Sequence, residues 1–321
     1  MSAITEPNVS AEEYRAFRER GGVVDLASRV KLCVSGADRL RYINGQVTAN
    51  IAASKESSVV PACVTSPKGK MCADVFVGVW PGWISIDADS KVRETLQARL
   101  ERYIVADDVK IEDHTERASL VHCIAHNSKH LDNVLSHVPW AGTWPLARFG
   151  IQGTDFFPRW RTQLDELWNH LAAHFPILSD ALLELIRIEH GIPRWGRELD
   201  EATLPHEAGL DRTHIDFHKG CYIGQEVISR LRSVGHVNRE MRGFVSADGV
   251  PLTAGARIFS VAEPARDLGR LTSAAFSFAL DRHIALGYLR RDAAGGEFLA
   301  ATPEATDAPV RIAVHPLPFI P

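Results

Sequence analysis

The chain has 321 residues, more than one compact core usually holds, so two or three units are expected. With 45% hydrophobic and 24% charged residues it falls outside the disordered and fibrous classes, and no apolar run reaches membrane-spanning length. A formal charge of −4 gives no global attraction to nucleic acid or anionic lipid, so neither is an expected partner.

The opening MSAITEPNVSAEEYRAF carries Glu6, Glu12 and Glu13 and lacks the basic start and apolar run of a signal peptide, which predicts a cytoplasmic protein. Cys33, Cys63, Cys72, Cys123 and Cys221 are odd in number and form no Cys-x-x-Cys pair. That argues for reduced thiols and against a disulfide framework or a structural zinc site.

In chain order, Ser10 with Glu13 reads as a capping box that opens a helix through Arg18, closed by Gly21-Gly22. Val30 to Val34, Ser58 to Thr65 and Asp74 to Trp80 read as strands. A short helix is expected over 37–44, ending at Gly45. Asp89 or Ser90 caps a helix whose apolar face is Val92, Leu96, Leu100 and Tyr103. Ala118 to Ala125 leans to strand, and the breaker-rich stretch from Trp140 to Pro145 is a domain boundary or a loop.

Two further helical stripes follow, Phe157, Trp160, Leu164, Leu167, Trp168 and Leu171, then Leu182, Leu185, Ile186 and Glu189, the second stopped by Gly191 and Pro193. From about Arg242 the pattern turns to short strands separated by turn signals, as in a small barrel. The expected units are 1–140, α+β; 141–240, helix-rich; and 241–321, all β.

Two segments carry chemistry. In Lys219-Gly220-Cys221-Tyr222-Ile223-Gly224-Gln225-Glu226 two glycines bracket one thiol, and Val227, Ile228, Leu231 and Val234 then begin a helical stripe. A thiol just before a helix N-terminus, with Lys219 close in sequence, is expected to favour thiolate; the alternative is a buried structural cysteine. On the helix from Leu182, Glu189 falls on the apolar face, where a carboxylate needs a partner: a neighbouring arginine such as Arg187 or Arg194, or a ligand. Trp195 offers a ring for stacking or for packing. Asp74 and Asp87 read as pocket acids or as ordinary turn carboxylates.

The run from Lys219 to Glu226 resembles the KGC-Y-x-G-Q-E signature of YgfZ-type folate-binding proteins, cousins of the glycine-cleavage aminomethyltransferases. Glu189, Gly191, Gly196, Glu198, Asp200, Glu201, Pro205, Glu207 and Gly209 resemble the aminomethyltransferase E-x-G, G-x-E and P-x-E-A-G-L stretches. Gly36 to Thr48 and Ser66 to Asp74 resemble its N-terminal motifs.

The resemblance implies an α+β fold of three units around a central channel, GcvT/YgfZ-like, with a C-terminal all-β barrel closing the channel. It implies bound tetrahydrofolate or a one-carbon derivative, with Glu189 reading the pterin ring. Asp74, Asp87, Trp195 and Arg194 are the further candidate folate contacts, and Cys221 with Lys219 the candidate reactive pair. The implied role is support for assembly or repair of iron–sulfur clusters, with client or assembly proteins as partners. The alternative is an aminomethyl or methyl transferase. Transferases carry paired acids where this chain keeps only Asp74, and an acid where it has Cys221, so catalysis is left open.

Overall fold

The structure, a computed structural model, describes residues 7–158, 161–233, 235–293, 297–302 and 308–320. Helix α1 (Ala11–Arg20) begins at the expected cap, where the Ser10 hydroxyl accepts from the Glu13 N–H at 3.1 Å. The reciprocal half of the capping box does not form. The Glu13 carboxylate instead accepts from Ser179 Oγ at 2.5 Å, tying the start of α1 to the start of a later helix that Ser179 caps.

There follow β1 (Gly22–Asp25), β2 (Val30–Ser35), α2 (Arg39–Gln46), β3 (Ser58–Thr65), β4 (Met71–Trp80), β5 (Trp83–Ala88), α3 (Arg93–Glu101), β6 (Lys110–Asp113) and β7 (Val121–Ile124). Helix α2 passes through Gly45 rather than stopping there. Strands β3-β4-β5-β2-β6 form a five-stranded antiparallel sheet. Tyr42 and Ile43 of α2, and Leu96 and Leu100 of α3, pack with Val77 and Ile86 in one buried core. Each such aliphatic side chain contributes roughly 1.5–3 kcal/mol by leaving water.

Next come α4 (Ser128–Leu135), β8 (Trp144–Leu146), β9 (Gly153–Phe156), α5 (Arg161–His174), α6 (Asp180–Glu189) and α7 (Gln225–Ser233). Residues 128–135 are thus helical. Trp160 and Val234, expected in helical stripes, lie outside the described residues.

Strands β1-β7-β9-β8 make a second, four-stranded sheet, covered by Leu131 and Val134 of α4 and by Leu164, Leu167 and Leu171 of α5. This sheet spans the position of the expected boundary at 140/141. Its hydrogen-bonded ladder joins β1 and β7 to β9 and β8, so residues on both sides of that position belong to one unit.

Strands β10 (Arg239–Ser246), β11 (Arg257–Ser260), β12 (Gly269–Ser277), β13 (Arg282–Arg290), β14 (Phe298–Ala301) and β15 (Val310–His315) close into a barrel in the order β10-β13-β12-β11-β14-β15. Closure removes unpaired edges. Helix α6 joins the parts: Leu182, Leu185 and Ile186 pack with Tyr14 and Phe17 of α1 and with Ile284 and Leu286 of the barrel.

Candidate functional site

A cavity of about 790 Å3 opens between the two sheets and α6. That size suits a small organic ligand. Its wall includes Asp74 and Phe76 on β4, Arg29 before β2, Arg194 and Trp195 after α6, and His214. The structure therefore brings together three of the residues singled out from sequence: Asp74, Arg194 and Trp195. Barrel residues do not line it; the barrel acts through α6, where Arg187 donates to Ser273 Oγ of β12 at 2.5 Å and to Glu198 at 3.0 Å.

Asp74 is an uncommitted acid of the cavity wall. Its pKa is raised by burial, against the opposing charge of Arg29, and no side chain among the described residues donates to it. Glu184, also in the wall, is committed to Arg187 at 2.7 Å and Arg194 at 3.0 Å. Trp195 serves both expected roles, since its ring is buried in the main core and also borders the cavity. Arg194 stands half-exposed at the rim. His214 is held neutral, its pKa lowered to about 4 by burial.

Asp87, an expected pterin contact, is not among the residues of the cavity wall. Its two oxygens are taken by Arg29 Nε at 2.6 Å and by Arg148 Nη1. Arg148 also grips Asp155 through Nε at 2.8 and 2.9 Å and through Nη2 at 2.6 Å, and Asp155 accepts from His122 Nδ1 at 2.7 Å.

The result is a buried chain, Arg29–Asp87–Arg148–Asp155–His122, in which two cations meet two carboxylates. Burial works against the charge on Arg148, but Asp87 and Asp155 overcome it and raise its pKa. Burial keeps His122 neutral. The guanidinium of Arg148 lies 4.2 Å over the ring of Phe76, so the chain stiffens the cavity floor. None of Arg29, Arg148, His122 or Asp155 was picked out from sequence. They are scattered over 127 residues without a spacing signature, and topology alone assembles them.

Glu189, expected to read the pterin ring, is held by other elements of the fold. It is buried but absent from the cavity wall, and neither Arg187 nor Arg194 is its partner. Its carboxylate accepts from Tyr14 Oη at 3.0 and 3.2 Å and from Ser277 Oγ at 2.6 Å. It therefore knits α1, α6 and the barrel together. Burial raises its pKa, against the hydrogen bonds from Ser277 and Tyr14.

The cysteine loop follows from His214 along the chain. Lys219, expected beside the reactive thiol, is instead a buried anchor. Its Nζ donates to the carbonyls of Asn44 at 2.6 Å, Val47 at 2.7 Å and Ala49 at 2.6 Å. An ammonium has three N–H groups, so none is left for a ligand. Burial lowers its pKa to about 8.

Cys221 is exposed, four residues before the first residue of α7. Of the two glycines, only Gly224 has a conformational requirement. Its φ is +88°, and a Cβ there would sit 2.6 Å from the Ser66 carbonyl oxygen. Thr65 Oγ1 donates to the Ile223 carbonyl at 2.6 Å on the same side. The loop is thus pinned at both ends with the thiol presented between.

Residues 239–320, the barrel, match the glycine cleavage T-protein C-terminal barrel domain. The whole chain superimposes on the glycine cleavage system aminomethyltransferase T of Bartonella henselae with a TM-score of 0.80, covering 93% of this chain and 86% of that one at 17% identity. The fold is that of an aminomethyltransferase T.

At the sequence level the chain is 26% identical to the aminomethyltransferase of Rubrobacter xylanophilus over 334 aligned positions, 96% of this chain and 85% of the relative. It is also 26% identical, over 240 positions, to a mitochondrial iron-sulfur cluster assembly factor IBA57 homologue of Phaeosphaeria nodorum, covering 68% of this chain and 54% of that relative. Relatives of similar identity are thus described both as transferases and as assembly factors. No helix among the described residues is long and apolar enough to cross a membrane.

Proposed function

We propose that this protein is a tetrahydrofolate-binding factor that supports assembly or repair of iron–sulfur clusters in client enzymes, with Cys221 as its working thiol. The observation that carries the reading is the cavity whose wall holds both Asp74, a desolvated acid to which no described side chain donates, and the indole of Trp195. A pterin ring offers parallel N–H donors that one carboxylate accepts together, and a flat face for the indole. Arg194 at the rim suits the carboxylates of a glutamyl tail. When bound, the folate supplies a carrier for a one-carbon unit. The chain's own part is to orient the ring and to keep the site dry.

Resemblance to the assembly-factor homologue supports the cluster role, and the exposed, pinned thiol gives that role a chemical group. Calorimetric titration of tetrahydrofolate into wild type and Asp74→Asn tests the folate half. Binding that weakens at least tenfold in the variant is expected, and wild type that folds but does not bind would overturn it. For the thiol, Cys221→Ser is expected to abolish support of cluster enzymes in cells while leaving the melting temperature unchanged. Full support by the variant would remove Cys221 from the mechanism.

A second reading, aminomethyl or methyl transfer to or from folate, is favoured by the 96% coverage in the aminomethyltransferase comparison and by the presence of an acid in the cavity. Turnover of 5,10-methylene-tetrahydrofolate with a reduced lipoyl carrier would decide for it.

A further inference from the structure

The histidines of this chain are unevenly spread. Of 14 in the sequence, His130, His137, His170 and His174 gather along the seam where α4 packs on α5. Their ring centres follow one another at 5.7 Å from His137 to His170, 5.2 Å from His170 to His174 and 6.0 Å from His174 to His130. Neither the cavity nor the cysteine loop uses them.

His170 and His174 lie one turn apart on α5, so their side chains share a face. His170 Nε2 stands 2.8 Å from the Val134 carbonyl. A carbonyl only accepts, so Nε2 carries the proton and Nδ1 presents a bare lone pair. Histidines that bind metal are commonly oriented in this way, with one ring N–H on a backbone carbonyl. No hydrogen bond among the described residues engages the ring of His174.

Zinc-type ions hold imidazole nitrogens at about 2.0–2.1 Å, which sets the centres of two tetrahedrally arranged rings roughly 5.2 Å apart. The ring centres of His170 and His174 stand 5.2 Å apart, a spacing that fits this geometry.

We propose that His170 and His174 chelate a divalent transition-metal ion of the zinc or nickel type at the seam between α4 and α5. Among the described residues no group of three or more ligands converges, so the chain supplies two and water fills the other positions. Such a site is open and exchangeable, unlike a closed structural zinc centre.

The test is calorimetric titration of Zn2+ into untagged protein carrying Cys221→Ser, which removes the competing exposed thiol. The same titration is then made with His170→Ala and with His174→Ala. One saturable equivalent is expected in the parent, with at least tenfold weaker binding in either histidine variant. No saturable binding, or equal binding in all three, would overturn the proposal. An independent readout is paramagnetic broadening by Ni2+ of the imidazole proton resonances. Broadening strongest at His170 and His174 supports the chelate, and broadening confined to other histidines refutes it.

Discussion

The cavity floor and the cysteine loop solve one problem in two ways. In each a cation is buried and fully committed to the protein, Arg148 to Asp87 and Asp155, Lys219 to three carbonyls. In each the group left uncommitted is a neighbour, Asp74 in the cavity and Cys221 on the loop. The two regions differ in what meets the cation. Carboxylates balance Arg148 with charge, whereas Lys219 is met by dipoles alone. The floor should therefore depend on charge pairing and the loop on hydrogen-bond geometry.

The sharpest break in that comparison is Arg148→Met. It leaves the carboxylates of Asp87 and Asp155 buried without their shared cation, which costs about 3–5 kcal/mol. Chemical denaturation should show that loss, and a change under about 1 kcal/mol would mean the chain is not a unit. Lys219→Met should cost less, about 2 kcal/mol, since it removes hydrogen bonds to carbonyls rather than a counter-ion.

Lys219 also predicts a pH signature. Its folded pKa of about 8 lies below the ordinary 10.5, so the folded state releases the proton first. Stability should rise with pH across that window in wild type and stay flat in Lys219→Met. Parallel profiles would show that Lys219 is not the titrating group.

In the cavity the expected effect is on affinity. The pKa of Asp74 is raised by burial, so a ligand that donates N–H groups to its carboxylate should bind more weakly as pH falls through that raised value. The fall should begin above the ordinary carboxylate range of about 3.9. Titrations of tetrahydrofolate at successively lower pH should show the decline in wild type and not in Asp74→Asn. The same slope in both would assign the titration to another group.

Much of the scaffold was legible because its signals are local. The Ser10 cap, the apolar stripe of α6 and the turn-punctuated strands of the barrel each lie within one element. The sequence also picked out Asp74, Trp195 and Arg194, which the fold brings to one cavity. Partner choice was not legible. Glu189 was correctly expected to be buried and to need a partner, but its partners are Tyr14 and Ser277, 175 and 88 residues away. A sheet ladder that links β1 to β9 through β7 likewise leaves no mark at the breaker-rich stretch it spans.

Glu189→Gln has the smallest expected effect and separates the two acids most cleanly. The pKa of Glu189 is raised, so its stabilising contribution is fully present below the unfolded carboxylate pKa and lost as pH rises through the folded value. Above that value the wild type bears the cost of a desolvated carboxylate. Glutamine is neutral, and its carbonyl can still accept from Tyr14 while its amide donates to Ser277. The variant should melt at the same temperature or slightly higher there, and tetrahydrofolate affinity should be unchanged because Glu189 does not line the cavity. A sharp loss of folate binding with the fold intact would return the pterin to Glu189 and require the joint between α1 and the barrel to open when ligand enters.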